Sequence, residues 1–289
     1  MSCLAATRSV LAATRSVLAA GRRHTVAVRR DGTVLATGHT RAGECDVSDW
    51  TDIVSVAAGC VHAARNTGRS HTVGLRADGT VVATGWNGDG QTEVGAWRDI
   101  RAVAAGWRTT LGLRRNGTVV AAGRGAEGQC EVAPWRDIVG LACGDWHCVA
   151  VRADGGVVVV GNNRRGQCDV GGWSRVRSVA AGHLHTVGVD DDDTVLATGD
   201  SSAGACDVSG WRDVSTIAAG SHHTVGLRRD GTVYATGANE FGQCEVGHWT
   251  DVVAIAAGAA HTVGLTADGR VVAVGSDADG QCRVDDWAL

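Results

Sequence analysis

RDVSTIAAGSHHTVGLRRDGTVYATGANEFGQCEVGHW, residues 212–249, holds four short runs able to extend as strands, separated by glycine-bearing breaks. The runs are Val214–Ala219, His223–Arg228, Thr232–Thr236 and Gln243–Val246. Val, Ile and Thr dominate them, and β-branched side chains suit a pleated surface. Asp230-Gly231 lies between the second and third runs and reads as a hairpin turn, since glycine accepts the positive φ such turns demand. The stretch recurs. Tryptophan stands at 50, 97, 135, 173, 211, 249 and 287, so the first interval is 47 residues and each of the other five is 38. A fixed period of this length marks a repeat architecture. Four antiparallel strands repeated seven times predict an all-β fold, a seven-bladed β-propeller, whose closure removes exposed sheet edges. A β-solenoid is the competing architecture, but its coils lack two tight antiparallel turns per unit and do not favour a count of seven.

The period also sets the domain limits. A leader over residues 1–13 precedes one propeller domain over residues 14–289, with no linker left over. The chain is long for a single core, yet in a ring of similar units each packs only on its neighbours. Net charge is −4, and every one of the 27 basic residues is arginine. That balance argues against general binding to nucleic acid or to a membrane surface. No run of about 18 apolar residues is present to span a bilayer. The leader carries LAATRSV twice, at 4–10 and 11–17, and Arg8 and Arg15 interrupt any apolar stretch a signal peptide would need. Leu4, Leu11 and Leu18 are spaced as a helical stripe, but residues 14–21 align with the first strand of every other repeat and are expected as a strand, which leaves the upstream copy as a short helix, a disordered arm, a gene-prediction extension or a competitor for its twin's place. The ten cysteines show no pairing pattern and predict reduced thiols in a cytoplasmic protein. The chain is expected to be a monomer without a cofactor.

The recurring string AAGxxHTVGL…DGTVxATGxxxxGQC resembles the repeat of the regulator of chromosome condensation family, over residues 14–287. The resemblance implies a seven-bladed propeller. It also implies a range of roles: guanine-nucleotide exchange on a small GTPase, inhibition of a β-lactamase by a secreted bacterial member, and protein-binding scaffolds. It does not choose among them, because the family's functional residues lie in variable loops with no counterpart to match here.

Most periodic residues read as scaffold. His24, His71, His147, His185, His223 and His261 occupy one repeat position, with Thr109 in the third repeat. A ring of histidines is a metal-binding possibility in principle. Each belongs to its own blade, too far from its equivalents to share an ion, and is expected to tie its own first loop through a ring N–H. Cys45, Cys130, Cys168, Cys206, Cys244 and Cys282, with Thr92 in the second repeat, are expected to pack between blades. Cys143, His147 and Cys148 cluster off the period, at a spacing improper for zinc. No phosphate loop, nucleophile elbow or paired-carboxylate constellation stands out, so no enzymatic activity is expected.

The departures from the repeat gather elsewhere. Strand directions alternate, so the first-to-second and third-to-fourth connections emerge on one face. Nine extra residues lengthen the second repeat between Gly59 and His71, bringing Cys60, His62, Arg65 and Arg69 to that face. Trp86, Trp107 and Trp146 ignore the period and fall in loops of repeats two, three and four. The same loops of repeats one to four carry Arg22, Arg23, Arg41, Arg65, Arg69, Arg108, Arg124, Arg164 and Arg165 against Asp89, Glu127 and Asp145. Those of repeats five to seven hold Asp200, Glu240, Asp277 and Asp279 and no arginine, so the face reads as polarised. Tryptophan and arginine are enriched among interface hot spots. The expectation is a protein partner, acidic with an apolar patch, docked on exposed Trp86, Trp107 and Trp146 with Arg65, Arg69, Arg108, Arg124, Arg164 and Arg165. The competing reading folds these tryptophans back over the channel mouth. Nucleotide exchange lacks a long extra hairpin in the sequence, and enzyme inhibition of the kind the secreted member performs lacks a convincing signal peptide. A single-stranded nucleic-acid site, with bases stacked among arginines, is a further but weaker alternative.

Overall fold

The structure is a computed structural model and describes residues 16–59 and 69–289. Residues 1–15, the leader and the first two residues of the propeller domain, and most of the second-repeat insertion, including Cys60, His62 and Arg65, lie outside the described residues. Among the described residues the elements are strands, in seven antiparallel sheets of three. We call these blades one to seven, spanning residues 18–38, 53–85, 100–123, 138–161, 176–199, 214–237 and 252–275. In blade six the strands are Val214–Ala219, His223–Arg228 and Val233–Gly237, with Val225 opposite Ala218 on one side and Ala235 on the other.

The Asp-Gly turns form as their chemistry predicts. Gly231 sits at φ 80°, and the Asp230 carboxylate accepts the backbone N–H and hydroxyl of Thr232 at 3.0 and 2.6 Å. Blade five lacks the glycine and places Asp193 there at φ 61°, where its carboxylate takes hydrogen bonds from Arg177 and Arg229.

The fourth run does not form a strand. Residues 239–249 instead make successive turns, with Gly242 N–H on Asn239 O, Glu245 on Gly242, Val246 on Cys244 and Trp249 on Val246. Gly242 at φ 78° starts the chain curling, and the Gln243 side chain turns back to accept the Phe241 N–H at 3.0 Å. A ladder needs consecutive unspent backbone groups, and this segment uses its own locally. Each blade therefore has three strands and a turn-rich outer segment, and the propeller class is unchanged.

Blades join through a repeated side-chain relay. His185 Nε2 meets Thr224 Oγ1 of the next blade at 3.1 Å, and that hydroxyl donates to the carbonyl of Ala205 at 2.8 Å. The same arrangement links His24 to Thr72, His71 to Thr110, His147 to Thr186 and His223 to Thr262. His261 reaches Thr25 at 3.0 Å, and Thr25 donates to Gln281 O at 2.7 Å, so blade seven is bonded to blade one. The histidines thus tie neighbouring blades and not their own loops, which close by backbone bonds such as Gly220 N–H to His223 O. All six rings are buried, and that burial lowers their pKa values to about 3 for His24, His147, His185 and His223 and about 4 for His71 and His261.

The periodic tryptophans wedge into the same joints. A Cβ on Gly226 of blade six would lie 2.6 Å from the ring of Trp211, and one on Gly112 of blade three 2.7 Å from that of Trp97. Glycine in the middle strand makes room for the preceding repeat's indole. The periodic cysteines also close their own loops: Cys244 Sγ contacts Ala238 O at 3.4 Å and Cys168 contacts Asn162 O at 3.3 Å. Burial pushes the thiols of Cys168 and Cys244 up to about 11.

The joint between blades three and four departs from the relay on both sides. Thr109 takes the histidine place and bonds Arg124 O at 3.2 Å, while Cys148 takes the threonine place. Cys143, where other blades have alanine, lies against Gly106 and contacts Cys148 sulfur to sulfur at 3.0 Å. A buried pair of thiols has replaced an imidazole–hydroxyl pair. His147 turns away to Thr186, so Cys143, His147 and Cys148 do not converge on one point.

Candidate functional site

The first connections and the third-strand exits do share one face. Directly above the irregular joint they enclose a cleft of about 530 Å³, lined by Trp107, Arg124, Glu127, Asp145, Trp146, Asn162, Arg164, Arg165, His183 and Leu184. Blades three, four and five all contribute, so the recess lies one blade further round the ring than the sector expected from sequence.

Its aromatic wall is a stack. The Arg108 guanidinium lies 4.8 Å from the centre of the Trp86 ring and 4.1 Å from that of Trp107. Trp107 in turn meets Trp146 edge to face, centroids 4.6 Å apart at 69°. Cation–π and edge-to-face contacts of this kind contribute roughly 0.5–2 kcal/mol each. The stack corrects the expectation of three exposed tryptophans. Trp107 is only 8 % exposed, covered by Arg108 and Trp146, while Trp86 and Trp146 are half-buried. Arg108 is held as well by Asp89, 3.4 Å from its Nη1. The indole N–H of Trp107 is buried with no acceptor among the described residues.

The arginines sort by partner. Arg124 makes a two-pronged pair with Glu127, at 2.9 and 2.5 Å, which holds its own pKa above and that of Glu127 below their usual ranges. Arg164 and Arg165 are exposed on the cleft rim. Arg165 faces Asp200 of blade five at 3.8 Å, and Arg164 makes no ion pair among the described residues. Arg69 is exposed beside the insertion, and Arg41 is exposed on blade one. Arg22, counted among the loop-face arginines from sequence, is buried at 4 % exposure. Pairing also crosses the seams, since Arg23 meets Asp279 of blade seven at 3.4 Å. The separation into basic and acidic halves is therefore partly neutralised where the halves meet.

The floor carries a pair the sequence reading missed. Asp145 Oδ2 and His183 Nδ1 are 2.7 Å apart, both buried, one from blade four and one from blade five. Each follows the glycine just after its blade's first strand, and their 38-residue separation equals the repeat. Asking which residues share that position would have found them. The site residues Trp86, Trp107, Trp146, Arg108, Arg124, Arg164 and Arg165 thus come together, whereas Arg69 stands apart from the cleft and Arg65 lies outside the described residues.

A family model described as the regulator of chromosome condensation (RCC1) repeat matches residues 66–91, 100–129, 138–167, 176–205, 214–243 and 252–281. A search of curated protein sequences returns no match. Among solved structures, human WBSCR16 is similar at 18% identity and TM-score 0.67, over 91% of this chain and 87% of that one. Prp20p of Saccharomyces cerevisiae is similar at 20% identity and TM-score 0.62, over 93% and 84%. The CRINKLY ectodomain of the Arabidopsis thaliana receptor kinase ACR4 is similar at 19% identity and TM-score 0.62, over 77% and 85%. Identities at this level speak for the fold.

Proposed function

The chain belongs to the regulator of chromosome condensation repeat family, and on that footing we propose that it is a non-enzymatic protein-binding propeller whose partner docks on the loop face above blades two to five. The observation that carries the reading is the stack of Trp86, Arg108, Trp107 and Trp146 set beside the exposed arginines Arg164 and Arg165. An aromatic wall next to exposed cations, Arg164 without an ion pair among the described residues and Arg165 facing Asp200 at 3.8 Å, is the composition of an interface core and its steering rim. A partner with acidic and apolar surface complements it. The eight described cysteines are free thiols, which suits a reducing compartment such as the cytoplasm. Among the described residues no helix is long and apolar enough to cross a membrane.

Exchange of guanine nucleotide on a small GTPase is the second reading, supported by the described binding of the similar yeast Prp20p to Gsp1p. It places the partner in one protein class and uses the same type of propeller. Affinity capture followed by mass spectrometry, comparing the parent with Arg164→Glu plus Arg165→Glu, tests the docking face. Both positions are exposed, so reversal leaves the fold intact. Loss of a specific partner is expected, and undiminished recovery of every partner sinks the reading. Release of labelled GDP from a recovered GTPase, measured with and without the propeller, separates exchange from simple docking.

A further inference from the structure

The cleft above blades three to five differs from the rest of the loop face in shape and in chemistry. Its volume of about 530 Å³ lies within the roughly 300–1,000 Å³ typical of ligand-binding recesses. Its apolar lining comes from Trp107, Trp146 and Leu184. The rim above is cationic through Arg164 and Arg165, while Arg124 is already saturated by Glu127. Within the apolar wall lies an indole N–H, on Trp107, that is buried and has no acceptor among the described residues.

We propose that this cleft receives a short extended segment of the protein partner in which a carboxylate side chain stands next to a large apolar one. The inference rests on the docking role proposed above and narrows it to a peptide-recognition pocket. The carboxylate meets Arg164 and Arg165, whose planar forks match two oxygens at once. The neighbouring apolar side chain packs on Trp146 and Leu184. Loops of three blades line the recess, so an extended chain lies across it as a ligand lies in a groove. The anionic preference follows from the partner inventory. Arg164 is the one cleft arginine without an acid against it among the described residues, and Asp145 is engaged with His183.

The test is selection from a phage-displayed library of random dodecapeptides on the full-length chain, followed by affinity measurement on synthetic copies of the enriched sequences. Enrichment of Asp or Glu beside Leu, Phe or Trp is expected. Arg164→Gln plus Arg165→Gln should weaken those peptides about tenfold or more, as should Trp146→Ala, each variant unfolding thermally with the parent. Replacing the peptide carboxylate by its amide should cost the parent about as much as the arginine variant loses, and cost that variant little. Three results overturn the proposal: no enrichment, enrichment without an acidic–apolar pair, or equal binding by the variants. Failure of the peptides with partner capture still sensitive to reversal of Arg164 and Arg165 removes the pocket and leaves the docking face. Capture that is indifferent to the reversal removes both.

Discussion

Restoring the missing relay between blades three and four should reveal three residues that act as one unit. Elsewhere an imidazole of one blade meets a threonine hydroxyl of the next, at 2.7–3.1 Å. Here Thr109, Cys143 and Cys148 stand at the positions of histidine, alanine and threonine. Thr109→His alone forces a ring into a joint already filled by two sulfur atoms in contact at 3.0 Å, at an overpacking cost of about 1–3 kcal/mol. Cys143→Ala plus Cys148→Thr alone removes that sulfur volume and leaves the new hydroxyl without a ring to bond, at a cost of about 1–2 kcal/mol. All three changes together rebuild the arrangement of the other joints, with the Gln129 carbonyl placed as Gln91 and Gln167 are for Thr110 and Thr186. The triple variant should therefore exceed the additive expectation by about 2 kcal/mol, at the upper part of the range for residues in contact. Guanidinium unfolding followed by tryptophan fluorescence and by far-UV circular dichroism measures it, with coincident transitions required of both probes. In a scan this corresponds to about 4 °C, at about 2 °C per kcal/mol for a chain of this size. Additivity within about 0.5 kcal/mol would refute the claim that the three substitutions are one structural replacement.

The six relay histidines predict a steep loss of stability in acid. Their folded pKa values, about 3 to about 4, lie below the unfolded value near 6.5. A depressed folded pKa means that unfolding takes up protons, so the stabilisation is full above about pH 6.5 and falls as pH drops from there towards 4. With six groups the slope reaches on the order of 8 kcal/mol per pH unit near pH 5, against a total stability of about 5–15 kcal/mol. Circular dichroism across the titration should show unfolding near pH 5, and a fully folded chain at pH 4.5 would contradict the assignment. The tryptophan wedges predict a contrast between two glycines. Gly226→Ala pushes a methyl to within 2.6 Å of Trp211 and should cost about 1–3 kcal/mol, while Gly171→Ala, with nothing within 4 Å of the added carbon, should change the unfolding midpoint little.

What the sequence disclosed tracks how local each cause is. The blade count was legible because the joints share an indole that faces a glycine in five blades (Gly74, Gly112, Gly188, Gly226 and Gly264) and Ala27 or Ala150 at the same place in the other two, so Trp50 and Trp97 recur with the scaffold. The Asp-Gly turns were legible because their geometry depends on two adjacent residues. The outer segment was misjudged for the opposite reason: Gln243–Val246 has strand composition, but Gly242 and the Gln243 side chain spend its hydrogen bonds on turns. The relay was hidden by distance, each histidine finding its threonine 39 residues on, 48 across the insertion, or 236 back where His261 meets Thr25. The same offset separates Thr109 from Cys148, so the irregular joint is written in the sequence as two substitutions that look unrelated. The gathering of Trp86, Trp107 and Trp146 was legible from loop order, but their burial was not. It depends on Arg108 sliding between two rings and on one loop leaning on the next.

Hydrogen exchange of the propeller alone and saturated with its captured partner tests the docking claim most directly. Slowed exchange at residues 107–108, 124–127, 145–146 and 162–165, with the Asp-Gly turns of the opposite face unchanged, is the predicted result. Protection centred on those turns, or on the loop face of blades six and seven, would contradict it.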